Sequence, residues 1–203
     1  MGGDLSPARL LNAYESGIFP WYNENYPPLW WCPNPRAILQ ASDLHISRSM
    51  RRVLRSCDYE VTWNAAFGKV IRHCAVDRAE GTWILPEVVA AYELLHRQGH
   101  AHSIEVWRGG ALVGGLYGVQ RGGLFAAESM FHRATNMSKV ALLYCSISVT
   151  RAGIGLFDVQ FLTPHLASLG AGEISRDEYL SRVRAERNRQ VDLSRLTVRS
   201  PID

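Results

Sequence analysis

The chain has 203 residues, 47% of them hydrophobic and 20% charged, and a formal net charge of +3. This length and composition are typical of a globular protein with one sizeable core, and they exclude a largely disordered chain. The apolar runs are shorter than the roughly 20 residues of a membrane span, and residues 1–4 lack the basic and apolar regions of a secretory signal. We therefore expect a cytoplasmic protein that does not enter a membrane.

The cysteines are scattered, with no CxxC pair and no histidine at metal-ligand spacing: Cys32, Cys57, Cys74 and Cys145. A zinc site or a disulfide framework needs closer and more regular spacing. We therefore expect reduced thiols with a structural role, and no metal.

The first 35 residues predict a small N-terminal lobe. Ser6 and Pro7 supply a helix N-cap and a first-turn proline, apolar residues follow at helical spacing, and Gly17 marks the end of this helix. Residues 18–35 contain three tryptophans and five prolines, so we expect little regular structure there. The pattern predicts an aromatic, proline-rich lobe over residues 1–35 and a second domain over residues 36–203.

The second domain has an α+β pattern. Its central part predicts an antiparallel meander, because three apolar segments are joined by two diglycine turns. The predicted elements, in order, are a strand (37–39), a basic helix (47–56), a strand (59–63), a helix capped by Asn64, a helix (86–98), the meander strands (103–107, 111–119 and 124–128), a helix (137–152), a strand around Asp158, and a last helix that begins with a capping box at 175–178.

The basic helix carries Arg48, Arg52 and Arg55 at helical spacing, while Met50 and Leu54 face inward. A face of this kind binds phosphate groups in some proteins and is simply solvated in others. The sequence alone leaves both interpretations open.

Polar residues interrupt two of the predicted strands. Glu128 lies within an apolar run, where a carboxylate requires a cationic partner, hydrogen bonds or a raised pKa. In the later strand, the alternation of side chains places Asp158 and Gln160 on one face and Phe157 and Val159 on the other. Neighbouring strands would therefore bring convergent polar groups to one site.

The order of helix, three-stranded meander, helix, strand and helix resembles the Gcn5-related acyltransferase fold, a mixed sheet flanked by helices in which two strands splay to admit a thioester donor. Acetyltransferases of this fold carry a glycine-containing pyrophosphate loop at the start of the helix after the meander. Here the nearest similar segment is TRAGIG at 150–155, which lies at the end of a predicted helix instead. A coenzyme A donor is therefore disfavoured.

Ten short motifs occur in order along most of the chain, at residues 2–10, 17–21, 29–31, 35–37, 45–50, 81–84, 99–107, 128–131, 158–160 and 167–171. Together they closely resemble the bacterial leucyl/phenylalanyl-tRNA–protein transferase family, up to about residue 184. Family members commonly have an extra leading segment, so we expect a reduced lobe here.

The resemblance implies transfer of leucine or phenylalanine, and less well methionine, from an aminoacyl-tRNA to the α-amine of a protein that begins with arginine or lysine. The product would be a degradation signal of the N-end rule. The reaction is the aminolysis of an activated ester, which needs no metal or redox cofactor. A monomer is the expected state.

The resemblance also implies roles for individual residues. Trp21 and Trp83 would sandwich the terminal adenosine of the tRNA, with core packing as the alternative. Asp158 and Gln160 would form the catalytic pair, with Glu128 beside them, although a hydrogen-bonded structural pair gives the same pattern. The acyl side chain would enter a pocket formed by Met130, Leu116, Leu142, Ser129 and Cys145, and the tRNA phosphates would contact Arg48, Arg52 and Arg55.

Two other functions fit parts of the sequence. One is an acyl-CoA-dependent N-acyltransferase of the same fold, against which the missing pyrophosphate loop argues. The other is a non-catalytic adaptor that binds tRNA ends or basic protein N-termini. Substitution of Asp158 separates an adaptor from an enzyme, because an enzyme can lose rate while it keeps affinity.

Overall fold

The computed structural model describes residues 2–56, 58–76 and 82–202, so Cys57 and the first residue of the motif at 81–84, Gly81, lie outside it. The predicted first helix is confirmed as α1 (Pro7–Glu15), with proline in its first turn. It ends just before Gly17, whose φ of 75° is a left-handed conformation that glycine adopts without strain. Two very short strands, β1 (Phe19–Pro20) and β2 (Trp30–Trp31), then pair with each other.

The remaining strands form one mixed sheet. They are β3 (Arg36–Ile38), β4 (Glu60–Trp63), β5 (Ala101–Arg108), β6 (Ala111–Arg121), β7 (Leu124–His132), β8 (Leu156–Gln160) and β9 (Gly172–Ile174). Their spatial order is β4-β5-β6-β7-β8-β3-β9. The β7–β8 pair is parallel and the other neighbours are antiparallel.

Helices cover both faces of this sheet. They are α2 (Arg48–Arg55), α3 (Phe67–Ala75), α4 (Pro86–Arg97), α5 (Met137–Arg151), α6 (Pro164–Ala167) and α7 (Arg176–Glu186). Side chains from α2 and α5 share one buried apolar cluster with the sheet, and side chains from α1, α3 and α4 share another. Leu116 and Tyr117, which are adjacent in β6, belong to different clusters, as expected for opposite faces of a strand. The predicted α+β mixed sheet flanked by helices is confirmed.

Two details of the predicted elements differ from the structure. The meander strands are longer, and β7 runs on past Glu128 because its backbone continues to pair with β6, for example at Met130 with Leu116. Asn64 does not cap a helix, since α3 begins at Phe67. Its side-chain oxygen instead accepts the backbone N–H of Ser103 at 2.9 Å.

The buried carboxylate of Glu105 serves the start of α3 in place of a local cap. It accepts the backbone N–H groups of Ala65 and Ala66 at 3.2 and 3.3 Å, and the hydroxyl groups of Thr62 and Ser103 at 2.6 and 2.5 Å. Because a negative charge at a helix N-terminus is favourable, these contacts stabilise the point where β4 leads into α3.

The centre of the sheet opens between its two parallel strands. Backbone pairing between β7 and β8 is confined to three residue pairs, from Leu124 with Leu156 to Ala126 with Asp158. Beyond these pairs the backbone pairing of the two strands ends, and Glu128 and Gln160 both line a cavity at this point. The splay of two strands that the resemblance implies is therefore present at this position.

The described helices include none that is both long enough and apolar enough to cross a membrane.

Candidate active site

A cavity of about 110 Å³ occupies the opening between the splayed strands. Its walls come from β6, β7, α5, β8 and α6, and are mainly apolar. The lining residues are Leu116, Ala127, Glu128, Ser129, Met130, Leu142, Val159, Gln160 and Leu166. Glu128 and Gln160 therefore place polar groups beside an otherwise apolar space.

The structure brings most of the predicted pocket residues together. Leu116, Ser129, Met130 and Leu142 all line the cavity. The exception is Cys145, which does not line it. Its side chain is fully buried within the core, one helical turn beyond Leu142 on α5.

Three further residues that the sequence did not indicate also line the cavity: Ala127, Val159 and Leu166. Strand alternation assigned Val159 to the face opposite Gln160, but Gln160 has a left-handed backbone with φ of 59°. This conformation breaks the alternation, so both side chains reach the cavity. Leu166 comes from the short helix that follows the strand, and no local pattern indicates its contact.

Glu128 and Gln160 form a hydrogen-bonded pair at the cavity. The Gln160 side-chain amide donates to Oε1 of Glu128 at 3.1 Å. Burial raises the pKa of Glu128 to about 8, and the negative charge of Asp158 also raises it. Hydrogen bonds from the hydroxyl groups of Tyr14 and Tyr92 lower this pKa, but by less. The carboxyl group therefore exchanges its proton close to neutral pH.

Two tyrosines from different helices lie behind Glu128. The hydroxyl oxygens of Tyr14 in α1 and Tyr92 in α4 are 2.7 Å apart and buried. Burial and the nearby charge of Glu128 raise the pKa of both phenols well above the ordinary value. These hydroxyl groups consequently remain protonated and act as hydrogen-bond donors near Glu128.

Asp158 has a different environment, because its carboxylate is fully buried. Oδ1 accepts from Nε of Arg36 at 2.8 Å and from the backbone N–H of Gln160 at 2.9 Å. Oδ2 accepts from Nη2 of Arg36 at 2.5 Å and from the hydroxyl group of Tyr179 at 2.8 Å. A carboxylate has about four acceptor positions, so these donors occupy all of them.

A second and larger cleft contains both tryptophans that the resemblance assigns to the tRNA end. It has a volume of about 640 Å³, and its lining includes Trp21, Trp31 and Trp83. The side chain of Trp21 is 43% exposed, which does not fit the core-packing alternative. Its ring centroid is 5.3 Å from that of Phe161, the residue after Gln160, so this cleft adjoins the end of β8.

The basic helix is built as predicted. Ser47 accepts the backbone N–H of Met50 as its N-cap, and Met50 and Leu54 are buried. The four arginines of the helix are exposed, and among the described residues none of them pairs with a carboxylate: Arg48, Arg51, Arg52 and Arg55. Arg51 extends the set that the spacing indicated.

The mixed sheet with two diverging strands and a cavity between them is the arrangement that the resemblance to acyltransferases implies. Two family models match the chain: the leucyl/phenylalanyl-tRNA protein transferase N-terminal domain over residues 3–34, and the leucyl/phenylalanyl-tRNA protein transferase over residues 38–184. The chain therefore belongs to the leucyl/phenylalanyl-tRNA protein transferase family and is an aminoacyltransferase, which confirms the family resemblance of the sequence.

Curated relatives support the same assignment. The leucyl/phenylalanyl-tRNA–protein transferase of Citrobacter koseri is 58% identical over 191 residues, which cover 94% of this chain and 82% of the relative. That of Klebsiella pneumoniae is 57% identical over 180 residues, which cover 89% and 77%.

Two of the solved structures that match the chain are much more distant. A ribosomal-protein-alanine N-acetyltransferase from Brucella melitensis biovar Abortus has a TM-score of 0.38 and 13% identity, over 68% of this chain and 98% of that one. The L-PGS structure from Bacillus licheniformis has a TM-score of 0.41 and 14% identity, over 79% of this chain and 54% of that one.

Proposed function

We propose that the enzyme transfers leucine or phenylalanine, and less well methionine, from aminoacyl-tRNA to the α-amine of proteins that begin with arginine or lysine, and so creates an N-end rule degradation signal. It acts in the cytoplasm as a monomer, without a metal or redox cofactor. The observation that carries the proposal is the Glu128–Gln160 pair at the rim of a small apolar cavity, 3.1 Å apart.

The donor would bind across both cavities. The leucyl or phenylalanyl side chain enters the small apolar cavity, where the flexible thioether of Met130 adapts to either shape. The terminal adenosine stacks between Trp21 and Trp83, with a gain of roughly 1–3 kcal/mol for each stacked base. Arg48, Arg52 and Arg55 contact phosphates of the tRNA, a grip that does not depend on sequence.

The chemistry requires an α-ammonium group to lose a proton before its nitrogen attacks the ester carbonyl. Glu128 suits this step, because burial raises its pKa to about 8 and an α-amino group has a pKa of about 7.7–8.0. A base whose pKa is close to that of the acid it serves is effective near neutral pH. We assign proton transfer to Glu128.

Gln160 and the leaving group complete the step. The Gln160 amide orients the reacting groups beside Glu128. The amine nitrogen forms a bond to the carbonyl carbon, the bond from that carbon to the ribose oxygen breaks, and the ribose oxygen leaves as a hydroxyl group with the proton that Glu128 accepted. The nitrogen loses its second proton as the amide forms, and Glu128 accepts this proton and releases it to solvent. Asp158, whose acceptor positions are filled by neighbouring donors, acts in this scheme by holding Gln160 rather than by taking a proton.

Transfer of radiolabelled leucine from Leu-tRNA to a peptide that begins with arginine tests the proposal. The same peptide beginning with alanine and a reaction with acetyl-CoA serve as controls. We expect label on the arginine peptide alone. Transfer to both peptides would contradict the acceptor specificity, and acetyl transfer without leucine transfer would contradict the donor. Binding of Leu-tRNA without any transfer would indicate an adaptor.

A further inference from the structure

Arg36 is the largest fully buried side chain in the described structure, with 1% of its surface exposed. It lies in β3, beside β8 in the sheet. Its guanidinium group is close to two aromatic rings, 4.8 Å from the ring centroid of Phe19 and 4.2 Å from that of Tyr179. A buried ion pair is a poor means of stabilising a fold compared with well-packed apolar residues. A functional role is therefore the better explanation for this buried pair.

On one side, Arg36 holds the end of β8. It binds both oxygens of Asp158, at 2.8 and 2.5 Å, and one of these oxygens also accepts the backbone N–H of Gln160 at 2.9 Å. Gln160 has a left-handed backbone, with φ of 59°, a conformation that residues other than glycine adopt only when their surroundings impose it. The direction of the Gln160 amide toward Glu128 therefore depends on this ion pair.

On the other side, Arg36 holds the segment that leads to Trp21. Its Nη1 donates to the carbonyl oxygen of Gly17 at 3.1 Å, and its guanidinium group faces the Phe19 ring. The Phe19 ring in turn contacts Phe161, with 5.8 Å between centroids. One side chain thus connects the lobe that bears Trp21 to the strand end that bears Gln160.

We propose that Arg36 is a positioning residue, which fixes Gln160 through Asp158 and holds the Trp21 segment in a constant position relative to the acyl cavity. The inference rests on the proposed function, in which an ester must span the two cavities. Lysine cannot replace Arg36, because a single ammonium group lacks the planar fork that binds a carboxylate at two points while it stacks on aromatic rings.

The test compares steady-state leucine transfer by the wild-type chain with Arg36→Lys, Arg36→Gln, Asp158→Asn and the double variant Arg36→Gln/Asp158→Asn. Because Arg36→Gln leaves a buried carboxylate unpaired and can unfold, the lysine variant and the neutral double variant carry the comparison. Arg121→Gln is the matched control, since Arg121 also joins the sheet to α1, through Glu15, away from both cavities. Circular dichroism checks that each variant is folded.

We expect Arg36→Lys to lower kcat by about 10- to 100-fold and to raise the KM for Leu-tRNA, as a change in positioning does. The double variant should lose no more than the worse of its two single variants, because they disrupt the same contact. Arg121→Gln should behave like the wild type. A folded Arg36→Lys variant with wild-type kcat and KM would overturn the inference, as would a double variant whose loss is the product of the single losses.

The pH dependence of kcat separates positioning from direct proton transfer. Glu128 is faced by Arg36 from β3, Asp158 from β8, Tyr14 from α1 and Tyr92 from α4. Loss of the negative charge in Asp158→Asn should move the Glu128 limb of the profile to lower pH, and loss of the positive charge in Arg36→Gln should move it to higher pH. Disappearance of that limb in Asp158→Asn would make Asp158 the proton acceptor and refute the positioning role. Absence of transfer by the wild-type chain would instead count against the proposed function.

Discussion

Asp158 and Glu128 are carboxylates on adjacent strands of one sheet, yet they have opposite surroundings. Asp158 is fully buried and receives four hydrogen bonds, two of them from a buried guanidinium group. Glu128 lines a cavity and accepts a hydrogen bond from the amide of Gln160, and burial raises its pKa to about 8. The comparison indicates that the partners of a carboxylate, more than its position in a motif, decide whether it can move a proton.

The divergence of the two strands produces this difference. Where β7 and β8 still pair, at Ala126 with Asp158, the sheet closes around Asp158. Two residues further along β7 the strands have separated, so that Glu128 borders the cavity. The same splay therefore separates a carboxylate that holds the structure from one that is available to substrate.

The largest effect is expected for Glu128→Gln. The amide keeps the size of the side chain but cannot accept a proton. Because general-base catalysis contributes roughly 10²–10⁴-fold, kcat should fall by about that factor with little change in the KM for Leu-tRNA. Single-turnover leucine transfer measures the loss. Glu173→Gln, at an exposed position on β9, is the control, and an equal rate for the two variants would refute the role of Glu128.

Asp158→Asn should lower stability in addition to its effect on the position of Gln160. It leaves Arg36 buried without a counter-charge, and breaking a buried ion pair lowers the free energy of unfolding by about 3–5 kcal/mol. Urea denaturation measures this change. Asp58→Asn removes half of the exposed Asp58–Arg108 pair and should cost less than about 1 kcal/mol. If the two substitutions had equal effects, the contrast between Asp158 and a surface carboxylate would fail.

The raised pKa of Glu128 predicts that the stability of the folded chain decreases as the pH rises. Burial raises this pKa from the ordinary 4.5 to about 8 in the folded chain. Between those values the native state holds a proton that the unfolded state has released, so stability falls as pH rises. The side chain in Glu128→Gln does not titrate, so the stability of this variant lacks the contribution of Glu128 to the pH dependence.

The stability gained by Glu128→Gln over the wild type should therefore grow from about pH 4.5 to about pH 8 and then level off. At about 1.4 kcal/mol for each pKa unit, the total is on the order of a few kcal/mol. Thermal unfolding of both chains across this range tests the prediction. A difference that does not vary with pH would show that Glu128 has an ordinary pKa.

Substitutions on α5 test where the acyl cavity ends. Leu142 lines the cavity and Cys145 does not. Leu142→Ala should lower kcat/KM for leucine transfer by about 10- to 100-fold, the range that small changes in an apolar pocket produce, whereas Cys145→Ala should stay within about threefold of the wild type on the same scale. Comparable losses in both variants would place Cys145 in the pocket after all.

The sequence predicted much of this architecture because its signals are local. Diglycine turns marked the meander, and the apolar run around Glu128 marked a carboxylate that needed partners, which the structure supplies. Asp158 and Gln160 are also joined by a hydrogen bond, the structural alternative for this pair, in which the backbone N–H of Gln160 donates to Oδ1 of Asp158 at 2.9 Å. The boundary between a lobe and a second domain remains a prediction, although α1 shares its buried apolar cluster with α3 and α4.

The parts that could not be predicted depend on contacts between distant residues. Arg36 and Asp158 are 122 positions apart, and an arginine after a proline at the start of a short strand gives no sign that it is buried. Tyr14 and Tyr92 each fit the apolar stripe of a helix, so nothing local indicates that their hydroxyl groups meet. Val159 shares the apolar cluster of Phe157, as the alternation predicted. Gln160 was assigned to the face of Asp158, but its left-handed backbone, which tertiary contacts impose, brings its side chain to the cavity beside Val159.

The smallest effect is expected on α2, where the arginines are exposed and form no ion pair with a carboxylate in the described part of the chain. If Arg52 binds a tRNA phosphate, Arg52→Ala should reduce the slope of log affinity against log salt by about 0.7–0.9. The reduction should be similar for Leu-tRNA and Phe-tRNA, because phosphate contacts carry no sequence information. Arg184→Ala, at an exposed position on α7, is the matched control. An unchanged slope would identify the basic face of α2 as solvated surface, and donor binding would then depend on the tryptophan cleft and the acyl cavity.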